Sequence, residues 1–198
     1  MKKEIFLKSL AEHGYNVMFG AKKHFATCDI VEKVPSGIAL ITLLIGIWQL
    51  YAPSFDYSKE VSLVIILVSV VALQINQYSA QKEDYMEAGI RLTEIHNELK
   101  DMYYQTNSST ESDVTDEEQE KLKRLLNDYY ATSITKQIAF SDWYAHYKFF
   151  YQAQHEWIDE QKSFTWKDKF PMSLRIWTVI LTITILILVI KFYCENYQ

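Results

Sequence analysis

The chain has 198 residues, which is enough for one domain of ordinary size or for a few membrane helices with a modest soluble part. Its 49% hydrophobic residues exclude a wholly disordered chain, and its 5 Gly, 3 Pro and 2 Cys exclude a collagen-like or disulfide-rich protein. The net charge of −5 argues against a generic nucleic-acid-binding protein, so we expect no direct nucleic-acid binding.

Three uncharged, apolar stretches predict membrane helices, and they comprise residues 34–55, 61–81 and 176–190. The first two are long enough to cross a hydrocarbon core of about 30 Å and are close enough together to form a hairpin. The third is shorter and spans the core if Arg175 and Lys191 extend their charged heads to water. A core helix of a soluble protein is the alternative for any one stretch, but three would need a larger soluble core than this chain can form.

The distribution of Lys and Arg predicts the orientation, because cytoplasmic segments carry an excess of these residues. Lysines precede the first stretch and basic residues follow the second, whereas the loop between them holds only Lys59. We therefore expect a cytoplasmic N-terminus and middle region, with the hairpin loop and the C-terminus external. The first residues are not expected to be a cleavable signal, because Lys8 interrupts their short apolar run. Cys28 and Cys194 then lie on opposite sides, and no disulfide between them is expected.

The expected fold is an all-α membrane protein, in which a transmembrane helical hairpin continues into a cytoplasmic helical lobe and a third transmembrane helix follows. Residues 1–33 are predicted to form amphipathic lead-in helices, and 34–81 the transmembrane hairpin. Residues 82–170 are predicted to form the cytoplasmic lobe, and 171–198 the third membrane helix with a short external tail. The lead-in helices either pack on the lobe or lie in the membrane surface.

A heptad pattern follows the second stretch, with apolar residues at alternating steps of three and four. Its members are Tyr85, Ala88, Leu92, Ile95, Leu99 and Met102. The pattern extends back to Gln81 and Tyr78, which predicts that the second membrane helix continues into the cytoplasm without a break. This coiled-coil-like seam packs either on the chain's own helices or on a second copy.

Two further helices are predicted after a polar linker at residues 106–113. Thr115 and Glu118 form a capping-box pattern that marks the start of the first. The second is expected to run from residue 134 to about residue 161, and its aromatic face either docks a cytoplasmic partner or packs in the core. The docking candidates are Trp143, Tyr147 and Phe150.

No charged residue lies within the three stretches, which disfavours a proton pump or an ion-coupled carrier. Small and polar residues do recur there at helical spacing. They are Thr42, Gly46 and Gln49 in the first stretch, Ser62, Ser69, Asn76 and Gln77 in the second, and Thr178 and Thr182 in the third. Such residues form helix–helix contacts in membranes, or they line a water path in an oligomer. The second role requires self-association, because one chain with three spans encloses little of a pore.

The sequence contains no recognised catalytic or metal-binding pattern. It has no phosphate-binding glycine loop, no HExxH, no paired CxxC and no serine elbow. None of the five histidines pairs with another at the i, i+4 spacing that places two ligands on one helix face. We therefore expect neither an enzyme nor a metal or cofactor site.

The layout resembles the SLATT families, the SMODS- and SLOG-associating two-transmembrane effectors. The resemblance rests on a Lys-rich amphipathic lead-in around residues 15–25 and on the hairpin at 37–78. It also rests on the charged helix QKEDYMEAGIRLTEIHNELKDMYY and on the later segment ITKQIAFSDWYAHYKFFY, in which Asp142 precedes Trp143. The third stretch departs from a minimal plan with two spans.

This resemblance implies an effector of the bacterial inner membrane that acts in anti-phage defence. Such effectors are expected to oligomerise and permeabilise the membrane when a partner triggers them. The implied partners are a nucleotide-second-messenger synthase or its product, or a reverse transcriptase. The alternative is a membrane anchor or scaffold that conducts nothing and recruits a cytoplasmic partner.

Overall fold

The computed structural model describes residues 1–52 and 55–196, with side chains described as far as Lys191. The side chain of Cys194 and the hairpin-loop residues Pro53 and Ser54 lie outside the described part. Within that part the predicted all-α fold is confirmed. The α-helices are α1 (Lys3–Tyr51), α2 (Ser58–Asn76), α3 (Lys82–Ser108), α4 (Asp116–Thr132), α5 (Ser141–Gln152), α6 (Glu156–Lys162) and α7 (Met172–Asn196).

The chain divides into two compact units, Met1–Lys162 and Ser163–Gln198. The first unit contains a transmembrane-type hairpin, formed by α2 and the part of α1 from Val34 onwards. It also contains a helical lobe, formed by α3 to α6 and the part of α1 up to Lys33. The second unit contains α7.

Helix α1 crosses the predicted boundary between lobe and hairpin without ending there. It is one α-helix of 49 residues, although lead-in helices that ended at residue 33 were expected. Pro35 lies inside the helix and removes one backbone hydrogen-bond donor, but its ring imposes a φ value close to that of a helix. The hairpin and the lobe therefore share one continuous helix.

The lobe core forms where α1 packs against α3. All six residues of the heptad seam are buried, with Tyr85, Leu92, Ile95 and Leu99 fully inaccessible to solvent. They meet buried residues of α1, and the Leu92 side chain lies beside Gly20 on that helix. The lead-in segment thus belongs to the lobe core and does not lie in the membrane surface, and the seam is covered within a single chain.

The passage from α2 to α3 is helical, but it is not a continuous α-helix as predicted. Helix α2 ends at Asn76, and Ser79–Gln81 forms a 3₁₀ turn before α3 begins. The Ser79 hydroxyl lies 2.7 Å from the Asn76 side-chain oxygen and donates to it. This bond joins the side chains at the two ends of the passage from α2 to the 3₁₀ turn.

The single helix predicted for residues 134–161 is wrong. Residues 134–139 are not helical, α5 begins after Phe140 in the left-handed region (φ 67°), and an extended Ala153 separates α5 from α6. The backbone of the non-helical segment is bonded to other elements: the Ile134 N–H donates to His24 (3.0 Å), and the Lys136 carbonyl accepts from the Tyr85 hydroxyl (2.7 Å). Contacts with α1 and α3 therefore replace helical bonds here.

The capping box that opens α4 is confirmed. The Glu118 N–H donates to the Thr115 hydroxyl (3.3 Å), and the Thr115 N–H donates to the Glu118 carboxylate (2.9 Å). These two bonds satisfy donors that have no partner within the helix. The preceding linker is shorter than predicted, because α3 continues to Ser108.

A close approach between α1 and α6 requires a glycine. A Cβ atom on Gly14 would lie 2.3 Å from the Trp157 ring, which is almost fully buried. At Gly20, on the same helix, a Cβ would meet neighbours at 3.5 Å, an ordinary van der Waals distance. The Trp157 ring therefore packs directly on the α1 backbone.

We expect Gly14→Ala to lower the free energy of unfolding of the lobe by about 1–3 kcal/mol, because the added methyl group overpacks the core. Gly20→Ala is the matched control and should be neutral or stabilise by up to about 1 kcal/mol, since alanine favours a helix. Chemical unfolding of the full chain in detergent micelles, followed by circular dichroism, measures both. Equal stability of the two variants would contradict the packing at Gly14.

Candidate functional site

The hairpin carries an apolar surface that no other described part of its unit covers. No residue of α2 is buried, and the side chains of Leu67 and Leu73 are each more than half exposed. Three described helices are long and apolar enough to cross a membrane, namely α1, α2 with its continuation, and α7. A lipid environment accounts for this exposed apolar surface, because apolar side chains are more favourable in hydrocarbon than in water.

The polar residues predicted in the first two spans lie mainly on the face where α1 and α2 meet. Gln49 reaches across the hairpin near its loop end and donates to the Ser58 carbonyl (2.9 Å) and the Ser62 hydroxyl (3.3 Å). Thr42 and Ser69 are partly covered, as are Gln49 and Ser62. The structure thus brings these side chains to one internal face of the hairpin.

The hydroxyl groups on this face are satisfied within their own helices. Thr42 donates to the Ala39 carbonyl (3.0 Å), Ser62 to the Ser58 carbonyl (2.8 Å) and Ser69 to the Ile65 carbonyl (2.8 Å). Such bonds let hydroxyl residues enter a bilayer without unpaired donors. In this conformation the face is a helix–helix contact and not an open water path.

The other predicted membrane residues are not part of this contact. A Cβ on Gly46 would meet nothing within 4 Å, so the helices do not pack closely at that glycine. Asn76 and Gln77 are exposed at the lobe end of the hairpin. Thr178 and Thr182 lie on α7 in the second unit, where both are exposed and donate to carbonyls one turn earlier.

A charged cluster lies where α1 leaves the lobe. The Asp29 carboxylate accepts hydrogen bonds from Lys33 and from Lys148 of α5, both at 2.5 Å. Burial raises the pKa of Asp29, but the bonds from Lys148 and Lys33 outweigh it, so this pKa lies below its ordinary value. Lys148 is largely covered, with 14% of its side chain exposed, whereas Lys33 is 68% exposed. The cluster fastens α5 to the last turn of α1 before the hairpin.

Two buried histidines connect elements of the lobe. His24 accepts from the Ile134 N–H through Nε2 and lies 2.7 Å from the Gly20 carbonyl through Nδ1, which requires a neutral ring with the proton on Nδ1. Burial lowers the pKa of His24 and favours this neutral state. His96 is 2% exposed, and its Nδ1 lies 3.2 Å from the Gly14 carbonyl. Burial lowers its pKa to about 4.

The three predicted docking residues do not form one exposed face. Phe150 is buried in the lobe core, Trp143 is partly covered, and Tyr147 is 51% exposed. Tyr147 stacks on Tyr151, with ring centroids 5.4 Å apart, and Tyr151 is exposed as well. Phe150 is therefore corrected to a core residue, and the exposed aromatic surface of α5 is formed by tyrosines.

Sequence reasoning missed the Asp29 cluster and both structural histidines. Asp29 and Lys33 have the i, i+4 spacing of a helical ion pair, which was a usable signal. The bond from Lys148 to Asp29 joins residues 119 positions apart, and the bond from Ile134 to His24 joins residues 110 apart. No local pattern marks such pairs.

The fold and the hairpin define a helical membrane protein with one lobe. This lobe packs around the N-terminal part of α1, the helix that continues as the first membrane segment. A family model described as SMODS and SLOG-associating 2TM effector domain 6 matches residues 1–179. The chain belongs to this family of membrane effector domains, which is not a known enzyme family. The match includes α1 to α6 and ends within α7. No curated protein and no solved structure matches the chain.

The buried His96 predicts that acid destabilises the lobe. Its folded pKa of about 4 lies below the unfolded value, so the unfolded chain binds more protons between these values. The stabilisation from neutral His96 is complete above about pH 6.5 and is lost as the pH falls towards 4. Between about pH 7.5 and pH 5, this lowers the free energy of unfolding of the lobe by about 2 kcal/mol. His96→Gln keeps a donor for the Gly14 carbonyl. Over this pH range its free energy of unfolding should fall by about 2 kcal/mol less than that of the wild type. Chemical unfolding at the two pH values measures the difference, and equal losses would refute the assignment.

Proposed function

We propose that this protein is the membrane effector of a bacterial anti-phage defence system, which oligomerises and permeabilises the inner membrane when a partner triggers it. Membership of the effector-domain family over residues 1–179 carries the proposal. The proposed partner is a nucleotide-second-messenger synthase or its product, or a reverse transcriptase. The N-terminus and lobe are proposed to be cytoplasmic and the C-terminus external, in line with the distribution of lysines.

The continuous α1 supports transmission of a signal from the lobe to the membrane. Thirteen residues of α1 between Phe6 and Val31 are buried in the lobe, and the same helix then forms the first membrane segment. A partner that shifts the lobe around α1 therefore moves the hairpin directly, with no flexible linker to absorb the displacement. This arrangement suits a triggered effector.

The internal polar face of the hairpin supports a change from a closed state to a conducting one. In the closed protomer Gln49, Ser62 and Ser69 lie between α1 and α2 and the serine hydroxyls are satisfied within α2. We propose that triggering separates the two helices and presents this face to a lumen shared by several copies. Uncharged polar side chains support water and ion passage without a fixed charge ring.

The substitution Ser69→Leu should reduce ion leakage while expression and membrane insertion remain intact, because it makes the proposed lumen apolar. Val71→Leu is the matched control, since Val71 lies on the same helix, is 53% exposed and faces away from the polar side. Leakage is measured in bacteria as loss of membrane potential by a voltage-sensitive dye. The adjacent gene is co-expressed, with and without phage challenge.

Depolarisation that depends on the trigger and is smaller in Ser69→Leu than in Val71→Leu supports the proposal. Unchanged leakage in Ser69→Leu removes the polar face from the mechanism. An intact potential in the triggered wild type, with the protein confirmed in the membrane, rejects permeabilisation.

The second candidate is a non-conducting anchor or scaffold that recruits a cytoplasmic partner. The stacked and exposed pair Tyr147 and Tyr151 on α5 supports it, because aromatic side chains are enriched at protein interfaces. This function predicts that the full chain in detergent captures the product of the adjacent gene. Tyr147→Ala should then weaken capture, whereas Tyr130→Ala, an exposed tyrosine on α4, should not.

A further inference from the structure

A cleft opens between α1 and the start of α5, on the side of the lobe from which the hairpin emerges. Its volume is about 410 Å³, and its apolar lining comes from Ile30 and Val34 of α1 and from Phe140, Trp143 and Tyr144. Asp29 and Lys33 lie at the same cleft. Neither the contact within the hairpin nor the seam of the lobe uses this surface.

The position of the cleft along α1 places it at the level where the bilayer begins. Val31 is the last α1 residue buried in the lobe. Leu40 and Ile41, between two and three turns later, are apolar residues of the membrane segment, and each side chain is more than half exposed. The cleft includes Val34, the first residue of the predicted span. Its mouth is therefore continuous with the lipid-facing surface of α1.

The aromatic side of the cleft suits the interface between water and lipid. Phe140 is 66% exposed and adopts a left-handed φ of 67°, which is uncommon for a bulky residue. Its ring packs on Trp143 with centroids 5.1 Å apart. An exposed phenylalanine held in a strained conformation beside a tryptophan gains stability when acyl chains cover it, and tryptophan and tyrosine are enriched at this depth.

The charged side of the cleft is formed by Asp29 and the two lysines that bond to it. Asp29 is shared by Lys33 and Lys148, so two cations face one anion. Of the neighbouring carboxylates, Asp142 pairs with Lys23 (2.7 Å), whereas Glu32 (3.8 Å) and Glu83 (3.5 Å) share Lys82. Lys33 bonds to Asp29, but its side chain is 68% exposed and its ammonium group has three donors, so it can also donate to a phosphate.

We propose that this cleft holds one anionic phospholipid of the surrounding bilayer, with its phosphate at Lys33 and its upper acyl chain against Phe140 and Trp143. Continuity with the membrane segment and the exposed ammonium group of Lys33 both favour an anionic lipid over a soluble protein partner. The inference requires that α1 enter the bilayer and does not depend on permeabilisation, so either can fail without the other.

The test uses the full chain in nanodiscs of phosphatidylcholine and phosphatidylglycerol, in which one lipid at a time is brominated near the headgroup end of its acyl chains. Bromine quenches nearby tryptophan fluorescence. The chain has five tryptophans, so the contribution of Trp143 is obtained as the difference between each protein and its Trp143→Phe derivative. The readout is quenching of Trp143 by brominated phosphatidylglycerol relative to brominated phosphatidylcholine.

The expected result is preferential quenching by phosphatidylglycerol, which Lys33→Gln reduces about fivefold, since one lysine near the membrane surface contributes about 1 kcal/mol. Lys33→Arg should retain the preference, and so should Lys121→Gln on α4, away from the cleft. Equal quenching by the two lipids, or a preference that survives Lys33→Gln, would overturn the proposal. Absence of quenching by either lipid would show that water or protein, and not lipid, occupies the cleft.

Discussion

The continuity of α1 determines the architecture of the first unit. One helix of 49 residues contributes a face of the lobe core and the first membrane segment, and Pro35 does not interrupt it. The burial pattern changes along this helix, because core contacts end near Val31 and exposed apolar side chains follow. Two environments, a packed protein core and a lipid bilayer, are thus joined by a single rigid element.

The remaining lobe elements attach to α1 through specific contacts. Trp157 of α6 packs on the backbone at Gly14, Lys148 of α5 bonds to Asp29, and the segment before α5 is bonded to His24. These three contacts are distributed along the lobe half of α1. A displacement of α5 or α6 would therefore act directly on α1, and the contact at Asp29 lies only about one turn before the hairpin.

Local patterns in the sequence predicted the features that depend on local order. The three apolar stretches, the heptad seam and the capping box at Thr115 each have a periodicity or spacing that is sufficient by itself. The 3₁₀ turn at Ser79–Gln81 and the non-helical residues 134–139 were not predicted. The backbone of residues 134–139 is bonded to Tyr85 and His24, which are distant in the sequence, so no local pattern marks this segment. The sequence left open whether the aromatic face of residues 143–150 docks a partner or packs in the core, since burial of Phe150 depends on how α5 packs.

The polar residues in the hairpin illustrate what periodicity can and cannot establish. Spacing placed Ser62 and Ser69 on one face of α2, and the structure places that face against α1. Spacing could not decide whether such a face meets a helix of the same chain, a second copy or water. The bonds from Gln49 to Ser58 and Ser62 identify the same chain as the neighbour in this conformation.

The central claim is that α1 carries the signal from lobe to membrane as one rigid helix. The most direct test inserts about one helical turn between Ser36 and Gly37, either as a flexible Gly-Ser-Gly-Ser or as a helical run of four alanines. Membrane potential is then recorded after triggering in cells. The account predicts that the potential collapses with the alanine insertion and stays intact with the flexible one. Equal collapse in both would contradict it.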